Sequence, residues 1–266
     1  MPIDEADYAD RPSSARIYDA LLGGSHNFAA DRAAAQKLLE AIPYAGDLAR
    51  RNRTFLRRAV DHMLAAGVRQ FLDVGSGIPT AGNVHEITGR TAPEARVVYV
   101  DIDPVAVAHS RDILAENPVA TAVQADVRFP DALLAHPVVT EMIDFTRPIG
   151  LLMVSMLHFL PDEDAYVAVE RLRSVLAPGS YIAISHGVVE TPADASADQV
   201  ASIYRRTDVS VATGRTRAEI LRFFGTAELV PPGLVWLHEW PAPPAAGEGP
   251  ENMAVLAGVG RVTGAA

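Results

Sequence analysis

From Val68 onward, short apolar runs alternate with longer stretches whose apolar positions repeat with a helical period. Five of the runs are rich in Val, Ile and Leu and are too short for ordinary helices, so they predict buried β-strands. The predicted strands are Gln70–Val74, Arg96–Val100, Ala120–Ala125, Gly150–Val154 and Tyr181–Ser185. Helices are predicted between them, most clearly over Pro104–Glu116 and Asp162–Leu176, and again over Arg217–Phe224. Such alternation is typical of βαβ units and a parallel sheet.

The last part of the chain has a different pattern. Leu234–Trp240 and Asn252–Val262 are two further predicted strands, and a loop rich in Pro, Ala and Gly joins them at 241–250. A connection of this length suits an antiparallel hairpin. The whole pattern therefore predicts an α/β fold with a doubly wound, Rossmann-like sheet of seven strands, mostly parallel, with a C-terminal antiparallel hairpin.

The region before Val68 is predicted to be helical. Its apolar periodicity indicates three helices, Ala15–Leu22, Ala30–Ile42 and Asp47–Ala66. We expect residues 1–67 to form an N-terminal helical cap that is integral to the domain. Residues 68–266 are then expected to form the part that carries the binding site.

Composition narrows the class of protein. A chain of 266 residues, 49% of them hydrophobic, can bury one large core. No apolar stretch approaches the roughly 20 residues of a membrane span, and the acidic start, Met1–Glu5, is unlike a secretory signal. We therefore expect a cytoplasmic protein without membrane contact. The absence of cysteine excludes disulfides, thiolate metal sites and a cysteine nucleophile.

The charge balance argues against a nucleic-acid partner. A formal net charge of −10 makes the average surface repel nucleic acid. A solvated helix face is the better interpretation of the one basic cluster. The cluster comprises Arg50, Arg51, Arg53, Arg57 and Arg58. The sequence leaves the oligomeric state open.

The first predicted strand runs into Asp73-Val74-Gly75-Ser76-Gly77, an acid followed by two closely spaced glycines. Gly75 and Gly77 lack the Cβ atoms that would keep the backbone away from a ligand, and Asp73 offers a charged acceptor. A dinucleotide fingerprint needs a third glycine three residues later, where this chain has Thr80. An acid beside a pyrophosphate would also be repulsive. A ligand with a cationic amino end, such as S-adenosylmethionine, suits Asp73 better.

Polar residues also follow the next three predicted strands. Ligands of open parallel sheets bind at the carboxyl ends of strands. Asp101 is placed to accept from the ribose hydroxyls of a nucleoside, and Asp126 from an adenine amino group. Ser155 and His158 follow the fourth strand, beside the reactive end of such a ligand. Each acid alone is more commonly a turn or capping residue, so the joint pattern carries the prediction.

These residues resemble a known superfamily. Asp73-Val74-Gly75-Ser76-Gly77 is similar to the acid-x-Gly-x-Gly motif of class I S-adenosylmethionine-dependent methyltransferases, and Asp101 to the acid after their second strand. Leu176-Ala177-Pro178-Gly179-Ser180 is similar to their Leu-x-Pro-Gly-Gly, with Ser180 departing from the pattern. More narrowly, Arg11–Asp19, Leu22–Phe28 and Pro79–Glu86 resemble the bacterial S-adenosyl methyltransferase family formerly labelled a domain of unknown function.

The resemblance implies S-adenosylmethionine as cofactor and a role for each motif residue. Gly75, Ser76 and Gly77 would lie along the methionine part, Asp73 would support its amino end, and Asp101 would hold the ribose. The adenine would be contacted by Asp126, the backbone of Val127 and the side chain of Ile102. The segment expected to close over the site is marked by Tyr18, Gly23 and Asn27.

The expected reaction is methyl transfer to an unidentified, small-molecule acceptor. A general base is needed only if the acceptor must lose a proton. His158 is the first candidate and His186 the next, since a histidine with a pKa near neutral could serve. Because no metal-ligand spacing is present, no metal is expected. A regulatory module that binds the cofactor without transfer remains an alternative, as does, more remotely, an NAD-linked oxidoreductase.

Overall fold

The fold was analysed in a computed structural model that describes residues 5–79, 82–188, 203–204, 207, 213–241 and 254–264. An eight-stranded sheet forms its centre, in the order β3-β2-β1-β4-β5-β8-β6, and β7 also pairs with β8. The strands are β1 Gln70–Val74, β2 Arg96–Asp101, β3 Ala120–Gln124, β4 Gly150–Val154, β5 Tyr181–Gly187, β6 Glu228–Leu229, β7 Val235–Trp236 and β8 Val255–Arg261. Strands β1 to β5 are parallel.

The predicted fold class is confirmed, and the five predicted parallel strands agree with the structure to within two residues at either end. The chain order reverses between β1 and β4, so the two halves of the sheet diverge there. Strand β8 is antiparallel to β5, with Ala183 opposite Val259. A crevice between diverging halves is where an open α/β sheet binds its ligand.

The prediction of seven strands is wrong by one, and the predicted strand Leu234–Trp240 is shorter than expected. Only Val235 and Trp236 pair with β8, and a 3-10 turn follows over Leu237–Glu239. The chain leaves the sheet because Trp240 is completely buried edge-on against Phe55, with 5.5 Å between ring centroids. Strand β6 has two residues and no detectable pattern. The predicted start at Asn252 lies outside the described residues.

Helices cover both faces of the sheet. They are α1 Ser14–Leu21, α2 Ala29–Ala41, α3 Ala45–Ala65, α4 Val84–Thr91, α5 Pro104–Ile113, α6 Pro130–Leu134, α7 Pro137–Met142, α8 Asp162–Ser174 and α9 Arg217–Arg222. Alternate residues of a strand face opposite sides. Phe71 of β1 therefore belongs to the same apolar cluster as Phe55 of α3, whereas Leu72 belongs to the cluster of Val169 of α8. None of the described helices is long and apolar enough to cross a membrane.

The three predicted N-terminal helices are present, each within two residues of its predicted bounds. Helix α3 contributes Phe55 and Met63 to the same core as β1. Helix α1 contributes Ala15 to a small apolar cluster with Ile78 and Ala106, next to the glycine turn. The division at residue 68 stays a prediction, because shared packing does not define a domain boundary.

Candidate functional site

The glycine turn joins the carboxyl ends of β1 and β2. The backbone N–H groups of Gly75 and Ser76 both donate to the carbonyl of Val100, at 2.8 and 3.1 Å. Gly75 and Gly77 have φ angles of +67° and +62°, a region that residues with a Cβ rarely occupy. A Cβ on Gly75 would also lie 2.5 Å from the Cβ of Met156. Glycine is therefore required here by backbone conformation and by the loop after β4.

Asp101 is almost fully buried, and the turn itself holds its carboxylate. Its Oδ2 accepts from the N–H of Gly77 at 2.8 Å, and its Oδ1 accepts from the N–H of Asp103 at 2.9 Å. These bonds fix the plane of the carboxylate at the carboxyl end of β2. Its predicted contact with a ribose stays a prediction.

Asp73 is a buried carboxylate, with only 5% of its surface exposed, and none of the described residues donates a hydrogen bond to it. Burial raises its pKa to about 7, Arg53 opposes the shift, and neighbouring Asp101 adds to it. A buried carboxylate without a donor is costly, and a cationic group brought against it would remove that cost. The site therefore fits a ligand with an ammonium group near the glycine turn.

Arg53 belongs to the basic cluster that was interpreted as a solvated face, and for Arg53 that interpretation is wrong. Phe71 and Asp73 face the same side of β1, towards α3. Arg53 on α3 lies there partly buried, and its Nη2 donates to the carbonyl of Gly82 at 3.2 Å and to the amide oxygen of Asn83. The other four arginines of the cluster are exposed. Helical period alone could not reveal a contact with a loop about 30 residues away.

The residues predicted to contact adenine differ in exposure and in their own partners. Ile102 is 42% exposed at the end of β2, as a surface for a flat ring would be. Val127 is buried. Asp126 is paired with Arg128 through both oxygens, at 2.6–3.0 Å. Burial alone would raise the pKa of Asp126, but the hydrogen bonds and charge of Arg128 outweigh it and lower the pKa. A bond from adenine to Asp126 would have to be shared with this ion pair.

Ser155 directly follows β4 and has a φ of +57°, the only positive φ of a non-glycine residue within the described ranges. Its N–H donates to the carbonyl of Ser185 at 3.1 Å and to the hydroxyl of Ser185 at 2.9 Å. Met156, the next residue, lies against Gly75. Ser155 is therefore beside the glycine turn, at the crevice between β1 and β4.

His158 follows in a 3-10 turn over Leu157–Phe159, and its Nδ1 is buried with no hydrogen-bond partner among the described residues. Burial, with smaller contributions from His186 and Arg215, lowers the pKa of His158 to about 3. The surroundings of His158 therefore disfavour its charged ring, which makes it a weak base at neutral pH. Its catalytic role stays a prediction that this low basicity does not favour.

His186 is fully buried and both of its ring nitrogens are used. Its Nδ1 donates to the carbonyl of Gly187 at 2.6 Å, so its Nε2 accepts from Nη1 of Arg215 at 2.8 Å. Burial is the main reason that its pKa is lowered to about 4. Accepting a proton from a substrate would break the bond from Arg215, so His186 is a structural residue in this state.

Arg215 was not singled out by its sequence context, yet it organises the loop after β4. Only 1% of its surface is exposed, and it donates to the carbonyls of Leu157 and Leu160 at 2.8 and 2.9 Å. It also forms an ion pair with Asp162. An arginine 55 residues from its partners gives no local signal.

The N-terminal segment lies over the same edge of the sheet. Arg16 is buried between Asp31 of α2 and Asp103, and it bonds to each at 2.9 Å. The hydroxyl of Ser13 also donates to Asp103, which caps α5 by accepting from the N–H of Val105. These buried ion pairs attach α1 to the loop that follows Asp101.

The three residues predicted to mark the closing segment make contacts within the cap. The hydroxyl of Tyr18 donates to the carbonyl of Ala49 at 3.1 Å. The amide of Asn27 donates to Asp19 at 2.8 Å and so closes the turn between α1 and α2, in which Gly23 has a φ of +79°. Their contact with a ligand stays a prediction. Within the described residues, no three His, Asp or Glu side chains are grouped to hold a metal ion.

Comparisons with known proteins show which proteins this chain is similar to. The profile of a family described as S-adenosyl methyltransferase matches residues 3–263. A candidate methyltransferase from Thermobifida fusca is 42% identical and superposes with a TM-score of 0.88 over 96% of each chain. A DUF574 family protein from Streptomyces avermitilis is 40% identical, with a TM-score of 0.87 over 95% of this chain and 98% of that one.

A curated relative matches a smaller part. The carboxy-S-adenosyl-L-methionine synthase of Chromohalobacter salexigens is 31% identical over 108 residues. That match spans 39% of this chain and 35% of the synthase, so it extends over about a third of the relative.

Proposed function

Because the chain belongs to the S-adenosyl methyltransferase family, an S-adenosylmethionine-dependent group, we propose that it transfers the methyl group to a small-molecule acceptor. The observation that carries the proposal is Asp73, a buried carboxylate without a hydrogen-bond donor among the described residues, beside a glycine turn. The amino end of the cofactor is a cation of the kind that such a carboxylate requires.

In this proposal, Asp73 binds the ammonium group, and the turn Gly75-Ser76-Gly77 lies along the methionine part. Asp101 holds the ribose hydroxyls. The adenine lies on Ile102, near Asp126 and the backbone of Val127. When bound, S-adenosylmethionine supplies a methyl group that its sulfonium already activates, so the chain contributes binding, orientation and exclusion of water.

Two features support a small acceptor over a polymer. The net charge of −10 disfavours nucleic acid. In addition, α1 packs through Ala15 beside the glycine turn and is attached to Asp103 through the buried Arg16, which supports a cap that would restrict access to the strand ends. Tyr18, Gly23 and Asn27 belong to this cap and are proposed to line the approach to the cofactor.

Calorimetric titration with S-adenosylmethionine and S-adenosylhomocysteine tests the cofactor site. We expect both to bind the purified protein. The Asp101→Ala variant should bind at least about tenfold more weakly, because it loses an acceptor for a nucleoside hydroxyl. Asp61→Asn, which changes an exposed carboxylate on α3, is the control and should bind like the wild type. No binding at millimolar ligand would refute the proposal.

A second candidate function is a cofactor-binding module that transfers nothing. It is favoured by the lack of a clear base, since the pKa of His158 is about 3 and His186 is engaged by Arg215. Incubation with S-adenosylmethionine and a panel of small phenols, amines and thiols separates the two. Acceptor-dependent formation of S-adenosylhomocysteine would exclude the module.

A further inference from the structure

Ser155 has a strained backbone conformation that its neighbours hold in place. A residue with a Cβ at a φ of +57° is strained, and such strain persists where neighbouring groups fix it, often at functional sites. Here the N–H of Ser155 is held by both the carbonyl and the hydroxyl of Ser185. The side chain of Ser155 is partly exposed, whereas Ser185 is completely buried.

A chain of hydrogen bonds continues from Ser185 into the cap. The hydroxyl of Ser185 donates to Oδ1 of Asn52 at 2.6 Å, and Nδ2 of Asn52 donates to the hydroxyl oxygen of Tyr18 at 3.1 Å. Tyr18 in turn donates to the carbonyl of Ala49 at 3.1 Å. Because the carbonyl of Ala49 can only accept, Tyr18 must donate to it and Asn52 must donate to Tyr18. The amide oxygen of Asn52 is then the atom that accepts from Ser185.

That direction determines what Ser155 can offer to a ligand. The single hydroxyl proton of Ser185 is used on Asn52, so a hydrogen bond across the 3.3 Å between the two serine hydroxyls runs from Ser155 to Ser185. In that bond the proton of Ser155 points inward, towards buried groups. The lone pairs of its Oγ are left for the crevice.

We propose that Oγ of Ser155 is a hydrogen-bond acceptor at the position of the transferable methyl group, and that it receives an N–H or O–H of the incoming methyl acceptor. The inference rests on the proposed function, which places the reactive end of the cofactor beside β4. Asn52 and Ser185 are positioning residues, because they fix the direction in which Ser155 donates. The preferred acceptors are then amines and hydroxyl compounds whose nucleophilic atom carries a proton.

A probe with a donor at the methyl position tests this without knowledge of the acceptor. Sinefungin is an analogue of the cofactor in which an amine-bearing carbon replaces the methyl-bearing sulfur, and S-adenosylhomocysteine has no group there. A hydrogen bond from an ammonium is strong enough to make wild-type protein prefer sinefungin by roughly ten- to a hundredfold. The measurement is the ratio of the two dissociation constants by calorimetry.

A set of variants distinguishes the loss of the Ser155 hydroxyl from a general disturbance of the fold. Ser155→Ala and Ser155→Gly should both lower the ratio by about tenfold or more. The glycine variant also removes the backbone strain. Ser185→Ala should lower the ratio as well, whereas Ser185→Thr, which keeps a hydroxyl, should keep the ratio near that of the wild type. Ser110→Ala removes a buried hydroxyl of α5 that donates to the carbonyl of Ala106 in the same helix, and should leave the ratio unchanged.

The results distinguish this inference from the function on which it rests. If S-adenosylhomocysteine binds but the ratio is the same in Ser155→Ala as in the wild type, Ser155 is not the acceptor and the inference fails alone. If neither ligand binds the wild type, the proposed function is wrong, and the inference that depends on it is wrong as well.

Discussion

At the scale of single residues, Asp73 combines a cost in stability with a proposed role in binding. Its neighbours supply charge but, among the described residues, no hydrogen bond, and burial raises its pKa to about 7. The sequence predicted that this acid ends the first strand beside the glycine turn. It could not predict Arg53 or Arg215, because their partners are distant in the chain and arginine is common throughout it.

The cost is testable through the pH dependence of stability. A carboxyl whose pKa is higher in the folded than in the unfolded chain lowers the free energy of unfolding as pH rises between the two values, here from 3.8 to about 7. Without ligand, Asp73→Asn should therefore be more stable than the wild type at pH 8, by about 1–3 kcal/mol. At pH 5, where Asp73 is protonated, the difference should shrink.

Thermal denaturation of both proteins at the two pH values measures this difference. A stabilised variant should still bind S-adenosylmethionine more weakly than the wild type. If Asp73→Asn is no more stable than the wild type at pH 8, the buried carboxylate does not destabilise the fold.

Among the elements, the sequence predicted best those strands and helices that contain long runs of buried apolar positions. Strands β1 to β5 and helix α8 were placed closely because their apolar positions repeat without interruption. Strands β6 and β7 have two residues each, and helices α6 and α7 have five and six, so none of them is long enough to show a period. The attachment of α1 also depends on contacts that are far apart in sequence.

The attachment of α1 gives a prediction with a matched control. Arg16→Met leaves the carboxylates of Asp31 and Asp103 buried without their cation, so it should lower the free energy of unfolding by about 3–5 kcal/mol. Arg50→Met removes an ion pair with Asp47 whose side chains are 62% and 63% exposed, and should cost less than about 1 kcal/mol.

Denaturant unfolding with S-adenosylmethionine absent measures both losses. Equal small losses in the two variants would contradict the view that the buried pairs hold the cap against the β2–α5 loop.

At the scale of the whole molecule, the fold brings the cap and the ends of β1, β2 and β4 together around one crevice. The glycine turn lies between them, with Ala15 beside Ile78 on one side and Met156 against Gly75 on the other. The sequence predicted the edge of the sheet at which these residues meet, because carboxyl ends of parallel strands share an edge. It could not predict the lowered pKa values of His158 and His186, which depend mainly on burial.

A crystal structure of the complex with S-adenosylhomocysteine tests the central claim most directly. The account predicts the ligand at the glycine turn, with its ammonium within hydrogen-bond distance of the Asp73 carboxylate, its ribose on Asp101 and its adenine against Ile102. A ligand bound elsewhere, or bound at the turn with its amino group directed away from Asp73, would contradict it.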